Sequence, residues 1–537
     1  MNEKLKVLIY PEKKRQIFWY LMISGILSGL CMAFPTVIGA VIEWIAFIPA
    51  ALALYSAIQN EVNIKRAFGG GFWLVYSQHV IVYHWFVSFY PLEFTGMTKL
   101  AAAGVVLVAV LGLPILAAVF GGLMGMVTLG ITRLPLAKKF PIVLPFVYAS
   151  AYVFCEWVRT KFWFGVPWGR LSLGQLTDGV PYAVLSTSIF GTYFVTFLIV
   201  LVSCLIAQAL ACRKFKFRMI LAVMLVLSNL LCGVVIANMP DNVRDTVKIA
   251  AIQANVNSRE KWASSKEALE KIVSEYESLT KEAAADGAEL VVWPETAIVD
   301  NRYIPRVSRL ADEADVYILL GCFDFDENDN PKNVLCLITP DGEICSNTYA
   351  KRHLVPFGEY VPMRNLIMTL FPPLGEIAML SQDIIPGESS DLFEIDINGK
   401  VVKIGGLICF DSIYEELAYI TAADGADVIC VATNDSWFED SRAVYMHCAQ
   451  SRLRAIETGL PIVRAANTGI SADITRLGEV KGSIEPLVQG YLVCDVAISD
   501  DAGNSKDANA LFLALCAVCI LALPIIDALK YFYRKSK

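Results

Sequence analysis

The sequence predicts two structural parts: a bundle of about eight transmembrane α-helices and, inserted near its C-terminal end, a layered α/β domain of roughly 250 residues. Three observations predict this. The 537-residue chain is 56% hydrophobic and only 18% charged, a balance too apolar for a soluble globular protein. Most of its long apolar runs reach the ~20 residues needed to cross a hydrocarbon core. From about Pro240 to Asp507 the texture changes to short apolar strands alternating with helical periodicity.

The first apolar run, Ile17–Ala33, follows Lys13, Lys14 and Arg15 as a signal sequence does. Apolar runs continue directly behind it and no small-residue cleavage site stands out, so it reads as an uncleaved membrane helix. Thr36–Ala57, Phe68–Phe89, Leu100–Leu129, Pro141–Val158, Ser186–Ala211 and Met219–Ala237 follow, and Ala508–Leu529 is the eighth. The break at Pro35 leaves the first two runs open to being a helical hairpin or one broken helix. Basic residues then set the orientation. Lys4, Lys6 and Lys13–Arg15, Lys65 and Arg66, Arg133, Lys138 and Lys139, Arg213 to Arg218, and Lys530 to Lys537 all fall on one side of eight crossings. The positive-inside rule makes that side cytoplasmic. Residues 1–239 are therefore expected to form an N-terminal bundle of about seven helices. Residues 240–507 form an extracytoplasmic domain, and residues 508–537 a last helix with a basic cytoplasmic tail. Phe162, Trp163, Phe164 and Trp168 suit an interfacial aromatic belt, and Glu156 and Arg159, one turn apart, suit an ion pair.

In the outer segment, Val247–Gln253, Leu290–Trp293, Val316–Cys322, Val334–Thr339 and Ser346–Lys351 read as strands, with Lys266–Ala285 as a helix. Val401–Ile408, Val428–Thr433 and Pro461–Ala466 continue the strand series around a helix near Met446–Thr458. These strands are expected to share a central sheet.

Three polar residues stand behind apolar strands: Glu295 after LVVWP, Lys351 after SNTYA, and Cys409 at the end of GGLIC. Taken alone, Cys409 reads as packing, since cysteine is among the most buried residue types. Together the three suffice for covalent acyl transfer. A thiol with an ordinary pKa near ~8.5 needs a base or a positive field before it attacks a carbonyl. A carboxylate in a dry pocket takes the proton, and an ammonium stabilises both that carboxylate and the oxyanion of the tetrahedral intermediate. His353 is a rival base, two residues from Lys351 in an extended chain; His447 reads as a structural histidine. Asn434, Asp435 and Trp437 follow a buried strand and are expected to line the pocket wall, or else to form a simple turn. The four histidines form no ligand motif, so neither a metal nor another cofactor is expected. No long basic block appears, which argues against nucleic acid.

WPET, YAKRHLVPFGEYVP and GGLICFD resemble the three signatures of the nitrilase (carbon–nitrogen hydrolase) superfamily. Their combination with membrane helices and with NDSWFEDSRAVYMHCAQSRLRAIETGLPIVRAANTGIS resembles its membrane-bound branch, the apolipoprotein N-acyltransferase family. The resemblance implies an αββα sandwich, with Glu295 as general base, Lys351 as oxyanion partner and Cys409 as nucleophile. It also implies a supporting carboxylate at Glu359 and a substrate-contacting Trp262. The family commonly has Tyr-Glu after the cysteine, whereas this chain has Phe410-Asp411, which leaves the roles of those two positions open. The implied setting is a bacterial inner membrane. The implied reaction takes an acyl chain from a phospholipid as a Cys409 thioester and delivers it to the α-amine of an apolipoprotein's N-terminal diacylglyceryl-cysteine.

Asn365–Leu380 is an unusually apolar loop interrupted by Pro372 and Pro373. It is expected either to dip into membrane lipid and guide an acyl chain, or to pack on the membrane helices. Two alternatives to acyl transfer stand beside it: a membrane-tethered amidase or nitrilase hydrolysing a small amide, and a transporter or receptor carrying a binding module.

Overall fold

The computed structural model describes residues 11, 13–92, 98–161, 165–178, 182–211, 215–257, 261–262, 265–370, 382–499 and 506–535. The chain divides into two compact units. Met1–Tyr90, Leu100–Met239 and Ser505–Lys537 make the first; Pro91–Lys99 and Pro240–Asn504 make the second.

In the first unit, seven described helices are long and apolar enough to cross a membrane: Lys14–Ala33, Val37–Gln59, Lys99–Thr132, Pro141–Val158, Thr192–Ala211, Lys216–Ala237 and Asp507–Lys535. The other sequence-predicted run, Phe68–Phe89, folds as a helix over Ile64–Val82 and a 3-10 turn over His84–Phe89. The buried face of this helix carries Ser77, Gln78 and His79, which dilutes its apolar character. Their polarity is satisfied inside the unit: Gln78 donates to Ser28 Oγ at 2.9 Å and accepts from Tyr152 Oη at 2.8 Å, as buried polar groups require. Glycines set the packing distance here. A Cβ on Gly25 would overlap Ser77 Oγ and the Leu74 carbonyl, and one on Gly121 would overlap Val75 and the Gly71 carbonyl. Helices Lys14–Ala33 and Lys99–Thr132 thus both approach Ile64–Val82 backbone to backbone. At Pro35 the chain does break, and Thr36 Oγ1 caps the next helix by accepting from Gly39 N at 3.0 Å. That second span is itself broken into Val37–Glu43 and Ile48–Gln59.

Glu156 and Arg159 lie 3.9 Å apart, but Glu156 has nearer partners in Thr196 Oγ1 (2.8 Å) and Leu171 N (3.2 Å). Trp168 corrects the aromatic-belt expectation. It is buried, with its ring centroid 5.2 Å from that of Trp85, because the indole finds aromatic packing inside the unit. Phe162, Trp163 and Phe164 lie outside the described residues.

Among the described residues the second unit carries twelve strands: β1 Val243–Gln253, β2 Leu290–Val292, β3 Tyr317–Phe325, β4 Pro331–Ile338, β5 Ile344–Ala350, β6 Phe393–Ile397, β7 Lys400–Ile408, β8 Val428–Thr433, β9 Ile462–Ala466, β10 Ser471–Ile474, β11 Val480–Ile484 and β12 Gly490–Ser499. They do not share one central sheet, which corrects the expectation. They form two six-stranded sheets, ordered β12-β1-β2-β3-β4-β5 and β11-β10-β9-β8-β7-β6. Each has a parallel core, β1-β2-β3 and β7-β8-β9, flanked by antiparallel strands. Parallel strands need crossover helices, and these clothe the outer faces. Lys266–Ala285 lays Leu269, Ile272, Val273, Tyr276, Leu279 and Ala283 inward, stacking Tyr276 on Trp293 with ring centroids 4.7 Å apart. Arg442–Thr458, capped by Ser441 and ended by Gly459 at φ +68°, covers the other sheet. The inner faces meet at Gly406 of β7, where a Cβ would stand 3.0 Å from Leu335 of β4 and 3.2 Å from Tyr349 of β5. The result is a four-layer αββα sandwich, the nitrilase-type fold that the motifs imply.

Candidate active site

Ligand sites in parallel sheets lie beyond the carboxyl ends of the strands, and the predicted triad collects there. Glu295 follows β2 in a tight turn whose next residue, Thr296, has φ +47°. That turn presses on β3 so closely that a Cβ at Gly321 would overlap the Pro294 carbonyl. Lys351 follows β5 and donates from Nζ to Glu295 Oε1 at 2.8 Å and to Glu359 Oε1 at 2.9 Å. Asn333 on β4 donates to the same two carboxylates, at 2.8 and 3.2 Å. The remaining oxygens accept backbone protons: Glu295 Oε2 from Asn434 N at 2.9 Å, Glu359 Oε2 from Val355 N at 2.8 Å. Glu359 thus pairs with Lys351 and not with Arg352 or Arg364. Arg352 lies over the Tyr349 ring, and Arg364 pairs with Asp383.

Cys409 directly follows β7, opening the 3-10 turn Cys409–Ile413, with φ +48°, a left-handed conformation uncommon for a residue with a Cβ. Strain of this kind collects at active sites. Burial pushes its thiol well above the ordinary range; Glu295 and Asp435 add to this while Lys351 opposes it. At rest the sulfur therefore keeps its proton. Burial also acts to raise Glu295, but the charge and hydrogen bond of Lys351, with Asn333, hold it below the usual carboxylate value. Glu359 differs: burial raises it, the Lys351 charge opposes, the Glu295 charge adds, and the net shift is upward. Two carboxylates around one ammonium cannot both ionise freely. Glu295 is thus the ionised member, a proton acceptor in the electrostatic reach of a protonated thiol.

Asp411, whose role the sequence leaves open, is fully buried and ties two loops together. It accepts from His353 N at 2.8 Å, Tyr349 Oη at 2.9 Å, and Arg352 N and Ile408 N at 3.3 Å each. The loop carrying Lys351 is thereby locked to the turn carrying Cys409. Phe410 sits edge-on to Tyr414, 5.5 Å between centroids. His353, the rival base, lies against Tyr414 at 3.9 Å and reaches Glu416 at 3.5 Å. Trp262 is 44% exposed, its ring 6.1 Å from Phe323. Trp437 is half-buried in the turn Asp435–Phe438.

Several residues enter the site that sequence reasoning missed. Lys261, buried beside Trp262, donates to Thr296 Oγ1 at 2.7 Å and to the Glu295 carbonyl at 3.3 Å. Asn467 donates to Asn434 Oδ1 at 3.0 Å. Asn333 had a legible signal, a polar residue inside the apolar strand PKNVLCLI. Behind Cys409, a thiol, the Asp435 carboxylate and the His447 imidazole come within 4.8 Å of one another, residue types that also bind metals. Here the groups engage each other and Arg464: His447 Nδ1 meets Asp435 Oδ1 at 2.8 Å, and Arg464 Nη2 donates to Asp435 Oδ2 at 2.7 Å.

The chain matches two family models, the apolipoprotein N-acyltransferase N-terminal domain over residues 24–205 and carbon-nitrogen hydrolase over residues 248–497. Among curated relatives, the apolipoprotein N-acyltransferase of Geobacter metallireducens is 30% identical, covering 99% of this chain and 98% of the relative. That of Gloeobacter violaceus is 28% identical over 87% of this chain and 86% of its own. Among solved structures, an amidase from Nesterenkonia is 17% identical with a TM-score of 0.36, covering 50% of this chain and 98% of the amidase.

Proposed function

This chain belongs to the apolipoprotein N-acyltransferase family, and from that premise we propose that it moves a fatty acyl chain from a phospholipid, through a thioester on Cys409, to the α-amine of a lipoprotein's N-terminal diacylglyceryl-cysteine. It is a multi-pass membrane enzyme. On the present reading it resides in a bacterial inner membrane with residues 240–507 on the extracytoplasmic side.

The observation that carries the reading is one ammonium, Lys351 Nζ, held 2.8 Å from an ionised Glu295 beside a half-buried thiol. Glu295 takes the proton from Cys409 as the sulfur adds to the ester carbonyl. Lys351 stabilises the oxyanion that forms. Collapse breaks the ester bond, and the proton on Glu295 passes to the departing lysophospholipid oxygen. In the second half the acceptor amine adds to the thioester, its proton goes to Glu295, and the sulfur leaves and recovers that proton. Thioester to amide is downhill. Glu359 holds Lys351 from the far side, Asp411 keeps the two loops in register, and Asn434 orients Glu295. The helix Arg364–Leu370 exposes Leu366 and Leu370, with Met363 and Phe357 exposed just before it. These supply an apolar guide for a lipid chain; Phe371–Leu380 lies outside the described residues.

The test uses the full-length enzyme in detergent with acyl-labelled phospholipid. A hydroxylamine-sensitive label on the Cys409 peptide, discharged by a diacylglyceryl-cysteine peptide and absent in Cys409→Ala and Glu295→Gln, is the expected result. Discharge by water alone would make the protein an amidase-type hydrolase, and no label at all would refute covalent catalysis.

A further inference from the structure

The nucleophile's carbonyl, not only its sulfur, is engaged. Cys409 O accepts from Ser412 Oγ at 2.7 Å and faces His447 Nε2 at 3.2 Å. His447 is 1% exposed and sits on the helix Arg442–Thr458. Its Nε2 also meets Ser412 Oγ at 3.2 Å. The Ser412 proton is committed to Cys409 O, so both neighbours of Nε2 present lone pairs. Nδ1 faces the carboxylate oxygen Asp435 Oδ1 at 2.8 Å, which likewise requires a proton on that nitrogen. Arg464 Nη2 donates one proton to Asp435 Oδ2 at 2.7 Å and approaches Nδ1 at 3.1 Å, a longer contact than the 2.8 Å from Nδ1 to Oδ1. Thr433 Oγ1 completes the set by donating to Asp435 Oδ1 at 2.9 Å. Phe438 closes the ring edge-on at 6.2 Å.

We propose that His447 is a positioning residue for the nucleophile: donating from both ring nitrogens, it pins the left-handed Cys409 turn by its carbonyl and sets a positive charge behind the thiol. A carbonyl in a planar peptide cannot turn without turning the unit to which it belongs. Fixing Cys409 O therefore fixes the backbone on which the sulfur is carried. The His447 ring and the Asp435 carboxylate lie within 4.8 Å of Sγ, and Arg464, donating to Asp435 Oδ2 at 2.7 Å, offsets that anion, so the cluster of a cationic His447, Arg464 and Asp435 is net positive. Glu295 and Asp435 push the thiol up and Lys351 opposes them; the His447 charge would act in the same sense as Lys351.

The inference rests on Cys409 as the nucleophile. Its test reads the thiol directly, by the pH dependence of alkylation of the Cys409 peptide with iodoacetamide in the full-length protein. In His447→Gln, which keeps a neutral donor but removes the charge, the midpoint should move to higher pH and the rate at neutral pH fall about tenfold. A merely structural role would lower the limiting rate without moving the midpoint. A folded His447→Gln whose midpoint matches wild type overturns the proposal. Should that variant not fold, wild-type protein labelled with 15N-histidine decides. The histidine whose signals move when Cys409 is alkylated must read as protonated on both nitrogens, and a bare nitrogen there overturns the proposal. If acyl transfer survives complete alkylation of Cys409, the nucleophile assignment itself falls and this inference with it.

Discussion

Lys351→Met removes an ammonium that two buried carboxylates share. Its Nζ lies 2.8 Å from Glu295 and 2.9 Å from Glu359, and the Lys351 and Glu295 side chains are only 2% and 8% exposed. Breaking a buried pair by deleting one partner costs about 3–5 kcal/mol, because the surviving charge is left without compensation. Here two carboxyl groups survive with the Asn333 amide as their shared partner, and with only one of them ionised the damage is limited. The double variant Lys351→Met with Glu359→Gln discards one of the two stranded carboxyl groups. It should recover about 1–3 kcal/mol of the loss while leaving thioester formation at background, since the oxyanion partner is still missing. Pulse proteolysis across a urea series reads stability, and acyl labelling of Cys409 reads the chemistry. If the double variant is no more stable than Lys351→Met, the charge argument is wrong. If either variant forms thioester at the wild-type rate, Lys351 does not stabilise the transition state.

Three further outcomes are expected. Burial lowers Lys261 from an ordinary 10.5 to about 8, outweighing the Glu295 charge that raises it. Between those values the folded state binds fewer protons than the unfolded one, so this residue makes stability climb as pH rises from about 8 to 10.5; urea midpoints of Lys261→Met should lack that component of the climb. Asp411→Ala strands four donors, from His353, Tyr349, Arg352 and Ile408, and should slow Cys409 acylation by at least about tenfold, whereas Asp411→Asn, still an acceptor, should lose less. Gly469→Ala would place a Cβ on Asp435 Oδ2. Overpacking costs about 1–3 kcal/mol, and the variant should show both a lower urea midpoint and slower alkylation of Cys409.

The outer domain was legible where local rules suffice. Strands such as Val428–Thr433 are continuous apolar runs, and Lys266–Ala285 shows its buried stripe at helical spacing. Four strands escaped notice: β6, β10, β11 and β12. Β11 alternates half-buried with exposed positions over only five residues, too little contrast to stand out. In the bundle, Phe68–Phe89 reads as one more apolar run, yet the buried face of the helix Ile64–Val82 carries Ser77, Gln78 and His79 among its apolar residues, with Ser28 and Tyr152 of other segments satisfying Gln78.

Sequence alone singled out Glu295, Lys351 and Cys409 as the candidate triad, since each stands behind an apolar strand, and strand ends are where such folds expose chemistry. It also determined that the chain carries membrane-length helices, a matter of run length and composition. Only the tertiary structure decided that the strands split between two sheets. Pairing depends on partners far apart in the chain, such as β1 with β12. The fold likewise decided which carboxylate is ionised, because the shared ammonium, the Asn333 amide and the burial come from different strands. The cluster of Asp435, His447 and Arg464 behind Cys409 was equally invisible, its members joining across a strand end, a helix and a neighbouring strand only once both layers had packed.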